Sequence, residues 1–500
     1  MKILSAQQIK EADKYTMQHE PVASIDLMER AAGVFTDWFV ERFPHKRQVV
    51  KFFCGTGNNG GDGLAIARML HARGYHTEVF IVRYSPTPSK DFLINEQRLK
   101  KLPVPIADIH SGNNFPVIQA GEIVIDGMWG SGLNRPIEGF AADLITHLNN
   151  SPGIKIAIDI PSGLFADLPS DSVKFKADYT LTFELPKLSF FFPQNFPYVG
   201  EFVVKSIGLH PAFLSKAETS HYYITEDMVR EMIVPRKKFD HKGTFGHALI
   251  ISGSYGKMGA AVLCSEACLR AGAGLVTACI PRCGYSVIQS ALPEAMVITD
   301  RQEEIITEVP TLAPYKAIGI GPGIGTHART SSALHQLIAA AEIPLVADAD
   351  ALNILSDNKV WLNELPQNSI LTPHPKEFER IFGTSPNDYS RLELQKEASR
   401  LYRIILMLKR AHTVITTPEG NAYFNSTGNP GMATGGSGDV LTGIITGLLS
   451  QGYSPLHSAV LGVFLHGRAG DIASRVLSQP SMLASDITHH LGSAFKEILS

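Results

Sequence analysis

The sequence predicts an α/β protein of two domains, each built on a mostly parallel sheet with helices on both faces. Three observations lead there. Five hundred residues exceed what a single hydrophobic core organises. Strand-like apolar runs alternate with helical periodicity in both halves, with one break around 209–225. Each half also carries a glycine-rich loop between a strand run and a helical pattern, with an aspartate at its end: Gly55–Gly63 and Asn429–Asp439.

In the first half, helical patterns cover about 5–19 and 24–42. The run Val49-Val-Lys-Phe-Phe-Cys54 reads as a strand, and Leu64, Ile66, Ala67 and Leu70 mark the helix after the first glycine loop. Further strand runs follow at 77–82, 122–126 and 155–160, then Tyr179–Glu184 and Phe202–Ser206. The second half restarts the rhythm with a strand at Ala248–Ser252, a helix at 258–272 and a strand at Leu275–Ile280. Ala317–Gly321, Leu345–Ala347, Ile404–Lys409 and Thr413–Thr417 continue it, and the last 60 or so residues read as mostly helical. Val440, Leu441, Ile444, Ile445, Leu448 and Leu449 recur at helical spacing behind the second glycine loop.

Composition narrows the functions. Lys plus Arg number 45 against 48 Asp plus Glu, a net charge of −3, so there is no electrostatic footprint for nucleic acid or anionic lipid. Arg236-Lys-Lys238 with His241 and Lys242 is a short basic cluster that suits a solvated connector or the guiding of a polyanionic small molecule. Five cysteines make a disulfide framework improbable. The pairs Cys264/Cys268 and Cys279/Cys283 superficially resemble paired metal ligands, but their C-x₃-C spacing, and an apolar helical pattern around the first pair, read as buried structural thiols. No apolar run reaches the ~20 residues of a membrane span, and the N-terminus lacks the apolar segment of a secretory leader. A cytoplasmic location is expected, with no nucleic-acid or membrane partner.

The second loop carries the most chemistry. Gly435, Gly436 and Gly438 leave amides uncovered at a helix N-terminus, which suits an anion. Asp439 falls in the first turn, where a carboxylate beside a phosphate suits the removal of a proton from a substrate hydroxyl. In the first loop, Gly55-x-Gly57-x-x-Gly60 formally matches a dinucleotide turn. The second strand, however, ends on Ile81-Val-Arg-Tyr84, without the acid a ribose would require. Asn58, Asn59 and Asp62 are polar additions that suit either hydroxyl groups or a hard monovalent ion. Asp126 and Asp159 end two further strands, at the rim where parallel sheets bind ligands, and Arg135 suits a phosphate.

Together, Gly55–Gly63, Asp126–Pro136 and Asp159–Gly163 resemble the NAD(P)H-hydrate epimerase family over most of 1–215. The resemblance implies a Rossmann-like doubly wound sheet and a K+ ion near Asn59, Asp126 and Ser162. It implies substrate contacts from Asn58, Asn59, Gly60, Gly61 and Asp62, and from Gly130, Ser131, Gly132, Leu133, Asn134, Arg135 and Pro136, with Asp159 moving the proton.

The second half carries Lys242-Gly-Thr-Phe-Gly-His247, Gly253–Ala261, Gly319-Ile-Gly-Pro-Gly-Ile-Gly325, Thr372–Phe378 and Asn429–Asp439. These resemble the NAD(P)H-hydrate dehydratase family, a ribokinase-like α/β/α fold, over about 226–500. The resemblance implies a hydrated nicotinamide lined by Ala260, Gly325, His374, Pro375, Lys376, Glu377, Phe378, Glu379 and Arg380, with Asp439 as the base. It implies that ADP, with Mg2+, is held by Lys409, Arg410, Ala411, His412 and Thr413 and by Asn429, Pro430, Gly431, Met432, Ala433, Thr434, Gly435, Gly436, Ser437 and Gly438. Arg410 departs from the glycine usual there, and His374, between Pro373 and Pro375, also suits a purely turn-shaping role. The implied substrates are NADHX and NADPHX, and the expected assembly is a homo-oligomer. Other readings are a small-molecule kinase in the second half, a non-catalytic nucleotide sensor or protein-binding module built on the first half, and an NAD dehydrogenase lacking its ribose acid.

Overall fold

The computed structural model describes residues 1–85, 87–111 and 114–499. Two compact units emerge: Lys2–Thr219 with Asn387–Tyr389, and Ser220–Pro386 with Ser390–Ser500 and Met1.

The first unit is a doubly wound sheet of seven strands. They are β1 (Val49–Cys54), β2 (His76–Val82), β3 (Ile106–Ile109), β4 (Ile123–Gly127), β5 (Ile154–Ile158), β6 (Tyr179–Phe183) and β7 (Glu201–Lys205). Their spatial order is β3-β2-β1-β4-β5-β6-β7, and every pairing is parallel. The central strands are buried along nearly their whole length, as a sheet covered on both faces requires. Phe35 and Phe39 of the helix Ser24–Arg42 are fully buried against this sheet. Winding reverses between β1 and β4. Their carboxyl ends open a crevice at that switch point, where the Gly55 loop and Asp126 lie.

The second unit holds β8 (His221–Tyr223), β9 (His247–Ile251), β10 (Leu275–Ile280), β11 (Met296–Thr299), β12 (Ala317–Ile320), β13 (Leu345–Ala347), β14 (Ile370–Leu371), β15 (Ile405–Leu408), β16 (Val414–Thr416) and β17 (Ala422–Phe424). The order is β11-β10-β9-β12-β13-β14-β15-β16-β17-β8, antiparallel only where β16 pairs with β15 and β17. β8 falls in the stretch that looked like a break in pattern, because three residues are too few to show a period. It joins the sheet by pairing with β17.

Helices Met258–Arg270 and Ser437–Ser450 pack at backbone distance. A Cβ on Gly443 would meet the Cys264 carbonyl oxygen at 2.1 Å, and one on Gly447 the Cys268 carbonyl oxygen at 2.5 Å. Cys264 and Cys268 are therefore buried parts of this contact, and Cys54 and Cys279 are buried too. Cys283 departs from the expected burial: it sits half-exposed in the short turn Arg282–Gly284. Among the described residues no helix is long and apolar enough to cross a membrane.

Candidate active sites

In the first unit, β1 runs into Gly55 and the helix Asn58–Ala72 starts from Gly57. A Cβ on Gly55 would lie 2.0 Å from the Met128 carbonyl oxygen, and one on Gly60 would lie 1.7 Å from the Gly55 carbonyl oxygen. Glycine at 55 lets the β1 and β4 loops touch, and glycine at 60 lets the helix start pack onto the β1 loop itself. Asn59 ties them together by donating from Nδ2 to the Trp129 carbonyl at 3.1 Å. Asp126 is fully buried. Its Oδ1 accepts from the Ser162 hydroxyl at 2.6 Å and Met128 N–H at 3.1 Å, and its Oδ2 accepts from Ser162 N–H at 2.8 Å. Burial pushes the Asp126 carboxyl up to about 6 despite these bonds. The structure thus joins Asn59, Asp126 and Ser162 through Trp129. Amide, hydroxyl and carboxylate oxygens make a hard donor set that fits K+.

A cavity of about 830 Å³ opens beside this network. Asn58, Asn59, Asp62, Gly130, Ser131, Gly132, Leu133, Asn134, Arg135 and Asp159 line it. Gly60 and Gly61 do not; they lie buried behind the wall, where absent side chains permit packing. Pro136 is exposed and also outside the wall. Asp159 adopts φ 64°, a left-handed conformation costly for a non-glycine residue. Three donors fix it there, all on Oδ1: Lys187 Nζ at 2.6 Å, Thr182 Oγ1 at 3.1 Å and Phe183 N–H at 3.1 Å. Its Oδ2 has no protein partner among the described residues. Asp62 is half-buried and its carboxyl lies well above the ordinary range, first through burial and then through Asp159 and Asp13.

Sequence reasoning missed Lys187, which is 2% exposed and lies in no motif. It also missed Asp13 and the stacked pair Tyr84 and Trp129, whose rings lie 4.2 Å apart on the cavity wall. Position just past a strand end was the available signal for Lys187 and Tyr84.

In the second unit, Gly436 takes a left-handed φ of 92° and caps the helix Ser437–Ser450. Gly435 is exposed, with open space where a Cβ would stand. The first amides of this helix therefore remain accessible to an anion. Asp439 lies in its first turn, half-buried and without a hydrogen bond or ion pair among the described residues. Burial raises its carboxyl to about 6, helped by Asp348 and Asp350 and opposed by Lys409.

Asp348, at the end of β13 and 1% exposed, was not read from the sequence. Its Oδ1 accepts from Lys409 Nζ at 2.6 Å and its Oδ2 from the Thr442 hydroxyl at 3.0 Å. A Cβ on Gly438 would stand 3.3 Å from both Asp348 Oδ2 and Lys409 Nζ, so this ion pair abuts the glycine loop. Asp350 Oδ2 accepts from Gly325 N–H at 2.8 Å, and Ala260 is half-exposed in the helix that Lys257 caps.

His374 has a clear local task. Its Nδ1 accepts from Lys376 and Glu377 N–H at 3.1 and 3.3 Å, and Glu377 Oε2 accepts from His374 N–H at 2.8 Å. This capping box starts the helix Pro375–Phe382. Burial and then Lys409 and Arg380 lower the His374 pKa, so its ring is neutral near pH 7. The Phe378 side chain is fully buried in the hydrophobic core, so it lines no site, and Glu377 is spent on the cap. Pro375, Lys376, Glu379 and Arg380 remain partly or fully exposed, with Arg380 donating to Asn353 Oδ1 at 2.7 Å.

In the loop joining β15 and β16, Thr413 Oγ1 donates to the Arg410 carbonyl at 3.0 Å and His412 Nδ1 contacts the Asn425 carbonyl at 2.9 Å. Arg410 is half-buried and Ala411 exposed. Asn429 caps the turn Pro430–Met432 and donates to Asp471 Oδ1 at 2.9 Å. Met432 packs on Gly470, Ala433 is exposed and Thr434 half-exposed, and the Ser437 hydroxyl lies 3.3 Å from His466 Nε2.

Residues 24–189 match the family model described as YjeF-related protein N-terminus, and 248–492 match the model described as NAD(P)H-hydrate dehydratase. A bifunctional NAD(P)H-hydrate repair enzyme of Moorella thermoacetica is 34% identical, over 98% of this chain and 96% of that protein. One of Thermofilum pendens is 33% identical, over 100% and 97%. Among solved structures, the ADP/ATP-dependent NAD(P)H-hydrate dehydratase of Bacillus subtilis, co-crystallized with ATP/Mg2+, is 31% identical, covers 55% of this chain and 98% of that one, and has a TM-score of 0.49. Because the identity to two-part relatives runs the whole length of both halves, the chain belongs to the bifunctional NAD(P)H-hydrate repair enzyme family.

Proposed function

We propose that residues 1–215 interconvert the R and S epimers of NADHX and NADPHX, and that residues 226–500 dehydrate the S epimer to NADH or NADPH at the expense of ADP. The substrate carries a hydroxyl on the ring carbon next to nitrogen, and hydroxide is a poor leaving group. In the second unit Asp439 takes the hydroxyl proton while the oxygen attacks the terminal phosphoryl group of ADP. An oxygen–phosphorus bond forms, the bridging bond breaks and AMP leaves. Phosphate then departs with the carbon–oxygen electron pair, driven by the ring nitrogen's lone pair, and loss of a ring proton restores the double bond.

The amides of Gly435–Gly438 face the developing phosphoryl charge. Lys409, anchored by Asp348, stands beside them. Among the described residues no three His, Cys, Asp or Glu side chains are grouped to hold a metal. Asp348 and Asp350 supply hard oxygens that fit Mg2+ shared with nucleotide phosphates, where the ion would neutralise charge. In the first unit, Asn59, Asp126 and Ser162 would hold K+, which would order the substrate-facing loops. The same reading places the chain in the cytoplasm as a homo-oligomer.

One observation carries the proposal: Asp439 is a half-buried carboxyl without a hydrogen-bond or ion-pair partner among the described residues, in the first turn of a helix whose glycine start is uncovered. The test is to supply mixed NADHX epimers and follow NADH absorbance with ADP, ATP or neither. ADP is expected to return all of the NADH, because the first unit feeds the second. No return with either nucleotide would refute the reading.

A further inference from the structure

The N-terminal cavity holds a carboxyl that no motif announces. Asp13 lies within the helix Ala6–His19, upstream of the 24–189 match. It is half-buried and lines the 830 Å³ cavity together with Asp62, Asp159 and Lys187. Among the described residues it makes no hydrogen bond or ion pair. Aspartate is a poor residue for a helix interior, and a sheltered carboxyl that served structure alone would have a partner. Among the described residues, Asp13 costs the fold something and returns no hydrogen bond or ion pair to it.

Its surroundings suit a proton donor. Asp62, Asp159 and Glu184 face the cavity on the negative side. Asp91 lines it too, and on the positive side stand Lys187, already bonded to Asp159, Arg135, and Lys10 and Lys14 of the same helix. Burial first, and the Asp159 charge second, push the Asp13 carboxyl up to about 6. Asp159 contrasts with it, because three donors converge on its Oδ1 and its Oδ2 is left free. Two carboxyls in one cavity, one held by donors and one without any, form an acid and base couple.

We propose that Asp13 is a catalytic residue of the epimerisation, the acid that protonates the substrate hydroxyl. As the new O–H bond forms, the ring carbon–oxygen bond breaks and its electron pair leaves with water. The ring-nitrogen lone pair then forms a carbon–nitrogen double bond, a cation that the Asp159 carboxylate stabilises. Water adds to the opposite face and gives a proton to Asp159 Oδ2. One proton leaves Asp13 and one reaches Asp159; the reverse epimerisation exchanges their roles. This assignment rests on the epimerase reading of the first unit.

The experiment uses the full chain and NADHX enriched in the R epimer, with chromatographic separation of the two epimers over pH 5–9. The first unit's thermal transition serves as the folding control for each variant, and dehydration of the S epimer with ADP shows that the second unit is intact. The wild type should convert R to S with a rate that falls as Asp13 loses its proton above pH 6. Asp13→Asn should lower that rate about 100-fold or more, the usual contribution of a general acid, and should flatten the alkaline fall. Asp13→Glu, which keeps the acid, should retain the fall. Wild-type R-to-S rates and an unchanged pH profile in Asp13→Asn would overturn the proposal. A wild type that dehydrates the S epimer yet never converts the R epimer would instead overturn the epimerase reading itself.

Discussion

Replacing Asp439 by Asn should stabilise the second unit while stopping its chemistry. The Asp439 carboxyl rises from an ordinary 3.8 to about 6, first through burial and then through Asp348 and Asp350. Between those values the folded chain keeps a proton that the unfolded chain has lost. Stability therefore falls as pH rises through that window, and the cost is complete above pH 6. At 1.36 kcal/mol per pH unit the difference is about 3 kcal/mol. Asp439 is only half-buried, and solvent screening reduces that to about 1–2 kcal/mol. For a unit of this size the gain is about 2–4 °C in Tm. Asn has nearly the shape of the protonated acid and carries no charge, so it should recover this amount at pH 7.5 and nothing near pH 4. Thermal unfolding from pH 4 to 8, followed for the second unit's transition, measures it. S-epimer turnover with ADP should fall about 100- to 10,000-fold, as for loss of a general base. A lower Tm at pH 7.5, a stability gap that does not close with acid, or retained turnover would refute the assignment.

Other substitutions test the remaining parts. Lys187→Met strips a buried ammonium from Asp159 and leaves its charge uncompensated; a loss of about 3 kcal/mol in the first unit is expected, with loss of R-to-S conversion, and an unchanged first-unit Tm would contradict it. Gly436→Ala forces a Cβ into a φ of 92° and to 2.6 Å from Leu263 Cδ1; a cost of about 1–2 kcal/mol and weaker ADP binding by calorimetry are expected. Ser162→Ala removes the hydroxyl that bridges Asp126 Oδ1 and Trp129 N–H; more K+ should then be needed for half-maximal epimerisation in a potassium titration, and an unshifted titration would argue against the ion site.

What could be read from the sequence was local. Gly435–Asp439 announced itself because its glycines, its acid and its helix are consecutive. Asp126 and Asp159 were legible as acids at the ends of apolar runs, a position that a parallel sheet converts into a site. Lys187 and Asp348 were not, because each acts through a partner far along the chain, and Asp13 was not, because only the fold brings its helix to the cavity that Asp159 lines. The Asp159–Lys187 pair exists only once the turn after β6 folds back over the end of β5. Phe378 shows the opposite limit. It sits beside exposed residues in sequence, but the helical turn from His374 rotates it into the core. His374 stays local, since one ring nitrogen is spent on capping and the other lies 3.3 Å from Glu377, its partner in the same cap.

The two units reach the same electrostatic arrangement on separate sheets. Asp62 and Asp439 each lie near the start of a helix, where the dipole favours a negative charge. Both carboxyls rise nonetheless, because burial and neighbouring acids outweigh the dipole. A cation is close at hand in each unit, but it is bound to a different acid: Lys187 to Asp159 and Lys409 to Asp348. Neutralising the unpaired acid as well would have been the stabilising choice. Leaving it unpaired keeps a titratable carboxyl beside one whose position is fixed by an ammonium. In the second unit that division leaves Asp348 to order the site and Asp439 as the proposed base; in the first unit Asp159 is held at Oδ1 by Lys187, which leaves its Oδ2 for the proposed proton transfer with Asp13.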